Sequence, residues 1–513
     1  MAKNHDLDDK RSIQSWRPSI QGVAGPIYRA IADAIAQAVR GGELREGDRL
    51  PPQRTLADDL GVDLTTVTRA YTEARHRGLV EAIVGRGTFV RSGVRPGVRA
   101  DARGGSRGGI RGSDGPLRDA GDAAIIEARP AAERPSGVDM SMNMPPRPQI
   151  LRQLLREGMA AVIKESGLAD LMTYRAGLGT QRDRAMAAEW LRPVLGQLDP
   201  ERILVCGGAQ CALTGLLTML ATPGDLILTE RLTYPGLRAV AAQLGLRLAS
   251  VATDADGPLP DALERGCREA RPKAFYCVPT MQNPTTVTTS AARRQAVAEI
   301  ASRYRVPVIE DDAYGLLPET PLPAITSLIP APIIGGRQPE AGGFHVSTVA
   351  KCLSPGLRCA FVVAPDRSLA GRVASAIRAT SLTPAPLLTG LVTRWIGDGS
   401  AALLRDAVRD EARARQSLAR EMLPAESIAA HPDGLHLWLT LPARRDRLEF
   451  SAELRTQGLT LVPADAFLVD GDAPNAVRMS LGAAESRDAL RAALGSVALA
   501  MQADAPRSYA EIV

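Results

Sequence analysis

The chain has 513 residues, 45% of them hydrophobic and 23% charged, an ordinary globular composition with length for more than one domain. That excludes a disordered, collagenous or disulfide-scaffold protein. Residues 1–120 carry 20 Lys and Arg against 15 Asp and Glu while the rest of the chain balances, so the formal excess of +5 sits at the N-terminal end, as a nucleic-acid-binding end on a neutral body requires.

No run of about 18 apolar residues occurs, and Met1 to Lys10 shows no cationic-then-apolar leader; the expectation is a cytoplasmic protein without a membrane span. The six cysteines (Cys206, Cys211, Cys267, Cys277, Cys352, Cys359) form no C-x-x-C pair, and the five histidines supply no zinc spacing. Reduced thiols, mostly small core residues, and no metal are expected.

Residues 25–90 read as a small helical domain ending in a hairpin. Ile27, Ile31, Ile35 and Val39 recur at helical spacing until Gly41-Gly42 stops the run. A second helix is expected over 54–60, Gly61 turns the chain, and a third helix runs from about 65 to 77 with Val67 and Tyr71 inward. Residues 79–84 and 88–90 read as strands around Gly85-Arg86-Gly87, a hairpin with a basic tip. Such a unit sets its third helix in the major groove of double-stranded DNA while the tip reaches phosphates or the minor groove.

Residues 91–139 are rich in Gly, Arg and Pro. Arginines recur every four residues from Arg91 to Arg111, but Pro96 and six intervening glycines oppose a basic helix. The expectation is a flexible linker with a reach of roughly 35 to 40 Å. Incidental phosphate contact by its arginines is the other reading.

Residues 140–513 alternate helical segments with short apolar strands (203–205, 226–228, 274–276, 308–309), which argues for an α/β domain with a mostly parallel sheet and ligands at the carboxyl ends of its strands. Gly207-Gly208-Ala209-Gln210 follows one strand and opens a helix expected over 211–220, an arrangement that holds phosphates. Glu310-Asp311-Asp312-Ala313-Tyr314 follows the 306–309 strand and can present an acid and a phenol to one ligand; a helix N-cap carboxylate with a packing tyrosine is the alternative. Lys351 is one of only five lysines, in a chain that uses arginine almost everywhere else for positive charge. A lysine bracketed by Val349-Ala350 and by Ser354-Pro355-Gly356 suggests need for an amine, which alone can lose its proton and form a Schiff base. Arg358, seven residues on, suits a phosphate.

In this order the motifs resemble a known family. With Gly207 to Gln210, Pro223-Gly224-Asp225, Tyr234-Pro235-Gly236, Asn283-Pro284-Thr285, Asp311 to Tyr314, Lys351, Pro355 to Arg358 and Val477-Arg478-Met479-Ser480, residues 140–513 look like a fold-type I, pyridoxal-phosphate-dependent aminotransferase domain. Residues 25–90 resemble the GntR-type winged helix through Leu50-Pro51-Pro52-Gln53-Arg54 and Gly85-Arg86-Gly87-Thr88-Phe89-Val90, and the combination is that of the MocR subfamily of transcriptional regulators. The resemblance implies a multidomain protein. A winged helix-turn-helix, mostly α with a β-hairpin wing, would precede an α/β aminotransferase-like domain with a mostly parallel central sheet (large part about 175–385) and a smaller α+β subdomain from the flanking segments.

The resemblance also implies roles. Lys351 would form the Schiff base with pyridoxal 5'-phosphate, and Asp311 would pair with the pyridine nitrogen. Asn283 and Tyr314 would bond the ring hydroxyl, Tyr234 would stack on the ring, and Gly208, Ala209, Gln210, Thr348 and Arg358 would hold the phosphate. Tyr174 matches a tyrosine reaching the neighbouring subunit's phosphate, which implies a homodimer; a core tyrosine is the other reading. Arg478 matches the arginine that clamps the carboxylate of an amino-acid or amine effector, with a structural salt bridge as its rival. Arg54, Thr65, Thr66 and Gly85 fall where relatives contact DNA, and Arg69 and Arg86 join them as candidates. Leu64 and Thr68 stand where some GntR proteins place base-contacting arginines, and Ala350 and Gly207 replace hydroxyl residues usual beside the lysine and in the phosphate loop. His436 and Cys352 read as structural. The sequence thus reads as a regulator that senses pyridoxal phosphate or an amino compound. An active aminotransferase with an accessory DNA-binding domain is the alternative, and a sensor of the cofactor alone is a third reading, against which Arg478 counts.

Overall fold

The computed structural model describes residues 16–18, 27–45, 47–76, 79–83, 87–90, 137–165, 171–173, 177–330 and 342–503. Gly85, Arg86, Tyr174, the side chain of Thr65 and nearly all of the expected linker lie outside these residues. The chain divides into two compact units, 1–113 and 114–513.

In the first unit, helices Ile27–Arg40, Gln53–Leu60 and Leu64–His76 precede an antiparallel hairpin of Val80–Ile83 and Gly87–Val90. Ile31, Ile35, Leu56, Val67 and Tyr71 close its core. Ile27 does not join them: it is 48% exposed, because the inward face of the first helix begins one turn later, at Ile31. Gly61 ends the second helix in the left-handed region at φ +64, its N–H donating to the carbonyls of Ala57 and Asp58. The Pro51-Pro52 segment is tied down on both sides, by the Tyr71 hydroxyl donating to the Pro51 carbonyl (2.8 Å) and by the Leu50 N–H donating to Thr88 (2.8 Å).

The second unit is built on a seven-stranded sheet in the order Ile203–Cys206, Ala360–Val363, Gly343–Thr348, Val308–Asp312, Ala274–Cys277, Leu226–Glu230, Arg247–Val251. Only Ala360–Val363 runs antiparallel to its neighbours. Four of these strands are buried along their whole length, as strands covered on both faces must be; three of them read as apolar runs rather than alternations, and Val308–Asp312 is the exception. A second, four-stranded antiparallel sheet (Ile428–Ala429, His436–Thr440, Ala476–Ser480, Val462–Pro463) packs on a core of its own with Phe450 and Leu494. Met140 belongs to that core, its N–H bonding Thr460 and its carbonyl accepting from Ser480 (3.0 Å each), so the segment entering the unit is stitched to its C-terminal part.

The strand expected over 306–309 continues through Asp312. Three carboxylates can be drawn into the sheet because each is met there. Glu310 accepts from the N–H groups of Ile325 (3.1 Å) and Thr326 (2.9 Å) and from the Thr326 hydroxyl (2.9 Å), with His345 at 3.6 Å and Arg294 at 3.8 Å. Asp312 has His345 at 3.6 Å. Asp311 is therefore a strand residue at the carboxyl end of the sheet, not a helix N-cap.

Candidate cofactor site

The carboxyl ends of the central strands bring Asp311, Tyr314, Asn283 and Lys351 together with Arg478 of the small sheet. The Tyr276 hydroxyl donates to Asp311 Oδ2 (2.7 Å), while Oδ1 is buried without a hydrogen-bond partner. Burial pushes this carboxyl up to about 6, with the Tyr276 hydrogen bond opposing. A buried carboxylate oxygen without a partner is costly in a finished site, and a protonated ring nitrogen would meet it.

Lys351 follows the strand Gly343–Thr348, and its Nζ donates to the backbone carbonyl of Asn143. Burial lowers the ammonium to about 8, the nearby Arg478 guanidinium adds to this, and Asp311 opposes it. Desolvation and a neighbouring cation together keep a large share of this amine neutral near pH 8.

Asn143 escaped the sequence reading. Its Nδ2 lies 2.8 Å from the Tyr314 hydroxyl, to which it donates, and 2.9 Å from His436 Nδ1. His436 lies fully buried in the site wall, its ring centroid 5.9 Å from that of Tyr314. Burial, with Arg478 adding, lowers it to about 3, so it is a neutral spacer and no proton carrier near pH 7. That agrees with its structural reading, although its place in the site was not foreseen.

Arg478 is buried. It donates to Asn283 Oδ1 (2.8 Å) and to the Ser141 carbonyl, stands 5.0 Å over the Phe467 ring, and keeps a buried Nε without a partner. No carboxylate of the described residues lies within ion-pairing distance of it, so the structural salt bridge is absent among them. Desolvation lowers it only to about 10, and it stays charged.

The phosphate candidates lie at the start of helix Ala209–Leu220, which begins two residues before the expected 211. Its first N–H groups have no intrahelical partner. The Arg358 guanidinium donates to the Gly207 carbonyl (3.2 Å) beside them. Gly208 sits at φ +113, and a Cβ there would lie 2.7 Å from an Arg358 nitrogen. Gly208→Ala is expected to weaken cofactor binding about 10- to 100-fold, through a backbone strain of about 1 to 3 kcal/mol and displacement of Arg358. A titration of apoprotein followed by visible absorbance checks it.

Gln210 turns aside, its Nε2 donating to Gly236 (3.1 Å) with Oε1 left unpartnered, and Tyr234 lies near enough to Asp311, Arg358 and Arg478 to respond to their charges. The Thr348 hydroxyl is already engaged, donating to Cys359 and accepting from Ala350 (3.2 Å each). Cys211 is the one cysteine that is not a buried core residue. It is only half-buried, and hydrogen bonds from Cys206, Ser381 and Gly207, with the Arg358 charge, lower it to about 6. Five other cysteines are buried.

These residues fit a phosphorylated ring that carries a basic nitrogen and an aldehyde: an unpartnered carboxylate oxygen, a near-neutral amine and an anion cradle share one site. In the N-terminal unit, Arg54 and Arg69 are exposed, with Arg69 stacked over Tyr28 (4.7 Å). Thr66 follows Leu64 in the first turn of the third helix, and Thr68 is joined to Gln53 (2.8 Å). Among the described residues no group of three or more potential metal ligands occurs, and no helix is long and apolar enough to cross a membrane.

Comparison with known proteins agrees with this arrangement. The family described as "Aminotransferase class I and II" matches residues 139–497, and "Bacterial regulatory proteins, gntR family" matches residues 27–90. The uncharacterized HTH-type transcriptional regulator YdeF of Bacillus subtilis (strain 168) is 30% identical over 483 residues, 94% of this chain and 95% of its own length. The vitamin B6 salvage pathway transcriptional repressor PtsJ of Salmonella typhimurium is 28% identical over 87% of this chain and 92% of its own. The fold is shared with LysN, the α-aminoadipate aminotransferase of Thermus thermophilus, at a TM-score of 0.63 and 24% identity, covering 71% of this chain and 92% of that one. With a DNA-binding helix-turn-helix joined to a pyridoxal-phosphate-binding aminotransferase domain, the chain belongs to the GntR-family transcriptional regulators of the MocR type.

Proposed function

We propose that the aminotransferase-like domain is a receptor, in which pyridoxal phosphate and a primary amine of the amino-acid class set the DNA-binding state of the winged helix, and that the chain works as a homodimer on cytoplasmic DNA. The observation carrying this reading is the buried pair of Lys351 and Asp311, an amine lowered to about 8 and a carboxylate with one unpartnered oxygen, in a chain that also holds a DNA-binding domain.

When bound, pyridoxal phosphate supplies an aldehyde that condenses with amines and a ring that withdraws electrons. Lys351 presents the amine, and Asp311, fixed through Oδ2 by Tyr276, holds a proton on the ring nitrogen. Asn143 orients the Tyr314 phenol and, with neutral His436, excludes water from that wall. Gly208, Ala209 and Arg358 hold the phosphate, while Arg478 offers its unpartnered Nε to a carboxylate. An amine can bias the DNA-binding state only by the difference in its affinity for the two states. Two winged helices in a dimer imply two operator half-sites.

The test follows the visible absorbance, operator affinity and keto-acid release together while amino acids and amines are added. The expected result is one amine class that moves the band and the operator affinity in step without steady keto-acid release. Steady release with operator affinity unchanged establishes the second reading, a working aminotransferase, which the intact set of Asp311, Tyr314, Lys351 and Arg478 favours. On the DNA side, Arg54→Ala and Arg69→Ala are each expected to weaken duplex binding and to lower the slope of log affinity against log salt by about 1, as loss of one phosphate contact does. Fluorescence anisotropy over a salt series checks it.

A further inference from the structure

A second concave site lies in the aminotransferase-like domain, at the amino ends of its central strands and so on the opposite edge of the sheet from Lys351. It is a cavity of about 520 Å³. Arg268, Arg271, Lys273, Arg305 and Arg372 all line it, and these five cations come from four elements: the helix Pro260–Ala270 with the turn after it, the start of strand Ala274–Cys277, the turn after helix Ala291–Tyr304, and helix Arg367–Ser381.

For Arg271, Lys273 and Arg372 the carboxylates of the described residues do not balance the charge. Glu269 pairs with Arg268 (3.0 Å), and Glu264 is taken by Arg303 and the Tyr304 hydroxyl (2.9 Å each). Asp225 acts on Lys273 only at longer range. Arg271 and Arg372 have no carboxylate of the described residues within ion-pairing distance. Residues 121–513 as a whole are neutral, so the cluster is a local concentration and not a share of a general excess.

Helix ends explain part of it. Arg271 and Arg305 stand just past two helix C-termini, where a cation offsets the carbonyl ends. Both hold left-handed backbone, at φ +47 and +54, a position usually given to glycine. Helix ends do not explain Arg372, inside its helix, nor Lys273, one of the chain's few lysines. Like charges brought together around a hollow repel one another unless an anion completes the site. The lining is mainly polar, with Met219, Leu220 and Val306 among its apolar members, and thus offers contact to the uncharged body of a ligand as well as to its charge.

We infer that this cavity binds a small phosphorylated anion of two or more negative charges, apart from the cofactor phosphate, with the arginine forks and Lys273 on the phosphates and the body of the ligand on Met219, Leu220 and Val306. The hollow shape favours a small molecule over a nucleic-acid backbone.

The test uses the full-length protein loaded with pyridoxal phosphate, so that the cofactor site is filled, and titrates inorganic pyrophosphate, ATP and citrate by calorimetry. Pyrophosphate and ATP are expected to bind with dissociation constants below about 1 mM, and citrate more weakly. ATP tighter than pyrophosphate places the uncharged body on these apolar residues, and equal affinities assign the site to the phosphates alone. Lys273→Glu and Arg372→Glu, both at exposed positions, are each expected to weaken binding about 10-fold or more with the visible band and thermal midpoint unchanged. No binding by either phosphate compound, binding indifferent to both variants, or citrate as tight as pyrophosphate overturns the inference. It is also overturned if the variants leave pyrophosphate binding intact and instead weaken non-specific duplex binding, which makes the surface a DNA contact.

Discussion

Lys351→Ala is expected to abolish the visible absorbance band of the protein loaded with pyridoxal phosphate, and borohydride treatment, which fixes the cofactor to the wild-type chain, is expected to leave the variant unlabelled by mass. The argument rests on supply of a neutral amine. At pH 7.5 a lysine at its ordinary value is about one thousandth neutral, whereas one lowered to about 8 is about one quarter neutral. Burial and the Arg478 charge thus raise the reactive fraction by roughly two hundredfold. The sign fixes the pH profile: protonation silences the amine, so the rate of cofactor capture by apoprotein rises with pH up to about 8 and is level above it. A stopped-flow series from pH 6 to 9.5 reads this directly. A rate still climbing tenfold per unit at pH 9.5 means an unperturbed lysine and overturns the assignment of the burial effect to this site.

The legible part of the site was the part written locally. Lys351 stood out because lysine is scarce here and its neighbours are apolar, and Gly208 because a strand, two glycines and a helix follow in close succession. The sheet was legible because most of its fully buried strands are apolar from end to end. What the sequence hid depends on contacts across hundreds of residues. Asn143 lies in a Met- and Pro-rich entry segment with no pattern to mark it, and it becomes a site residue only because Met140 is stitched to the small sheet and carries it to Tyr314, His436 and Lys351. Thr348 shows the reverse. The resemblance implies a phosphate contact for it, yet the turn into Lys351 takes its hydroxyl for Ala350 and Cys359, a local claim that periodicity does not reveal. Asp311 was visible as an acid near a strand end, but not as a residue within the strand, because adjacent carboxylates after a strand also suit a helix N-cap until Tyr276 is seen to meet Asp311, and His345, Arg294 and Thr326 its neighbours. Cys211 was hidden for a similar reason, since its thiol is set apart from the others by Cys206, Ser381 and Arg358 converging on it.

Arg478→Ala is expected to separate amino acids from amines. In the wild type, a charged hydrogen-bond donor in a buried setting makes a carboxylate on the ligand worth about 2 to 5 kcal/mol, or roughly 30- to 5,000-fold in affinity. Alanine removes that donor. It also strips partners from Asn283 Oδ1 and the Ser141 carbonyl, so a general loosening of the site accompanies the loss of the clamp. The comparison of each amino acid with the amine that lacks its carboxylate cancels the loosening, because both ligands meet the same damaged wall. The ratio of their affinities, read from titrations of the visible band, is expected to fall by about 100-fold in the variant. A purely structural arginine weakens both ligands alike and leaves the ratio where it was. No carboxylate of the described residues pairs with Arg478 and its Nε stays buried without a partner, which a ligand carboxylate is expected to supply.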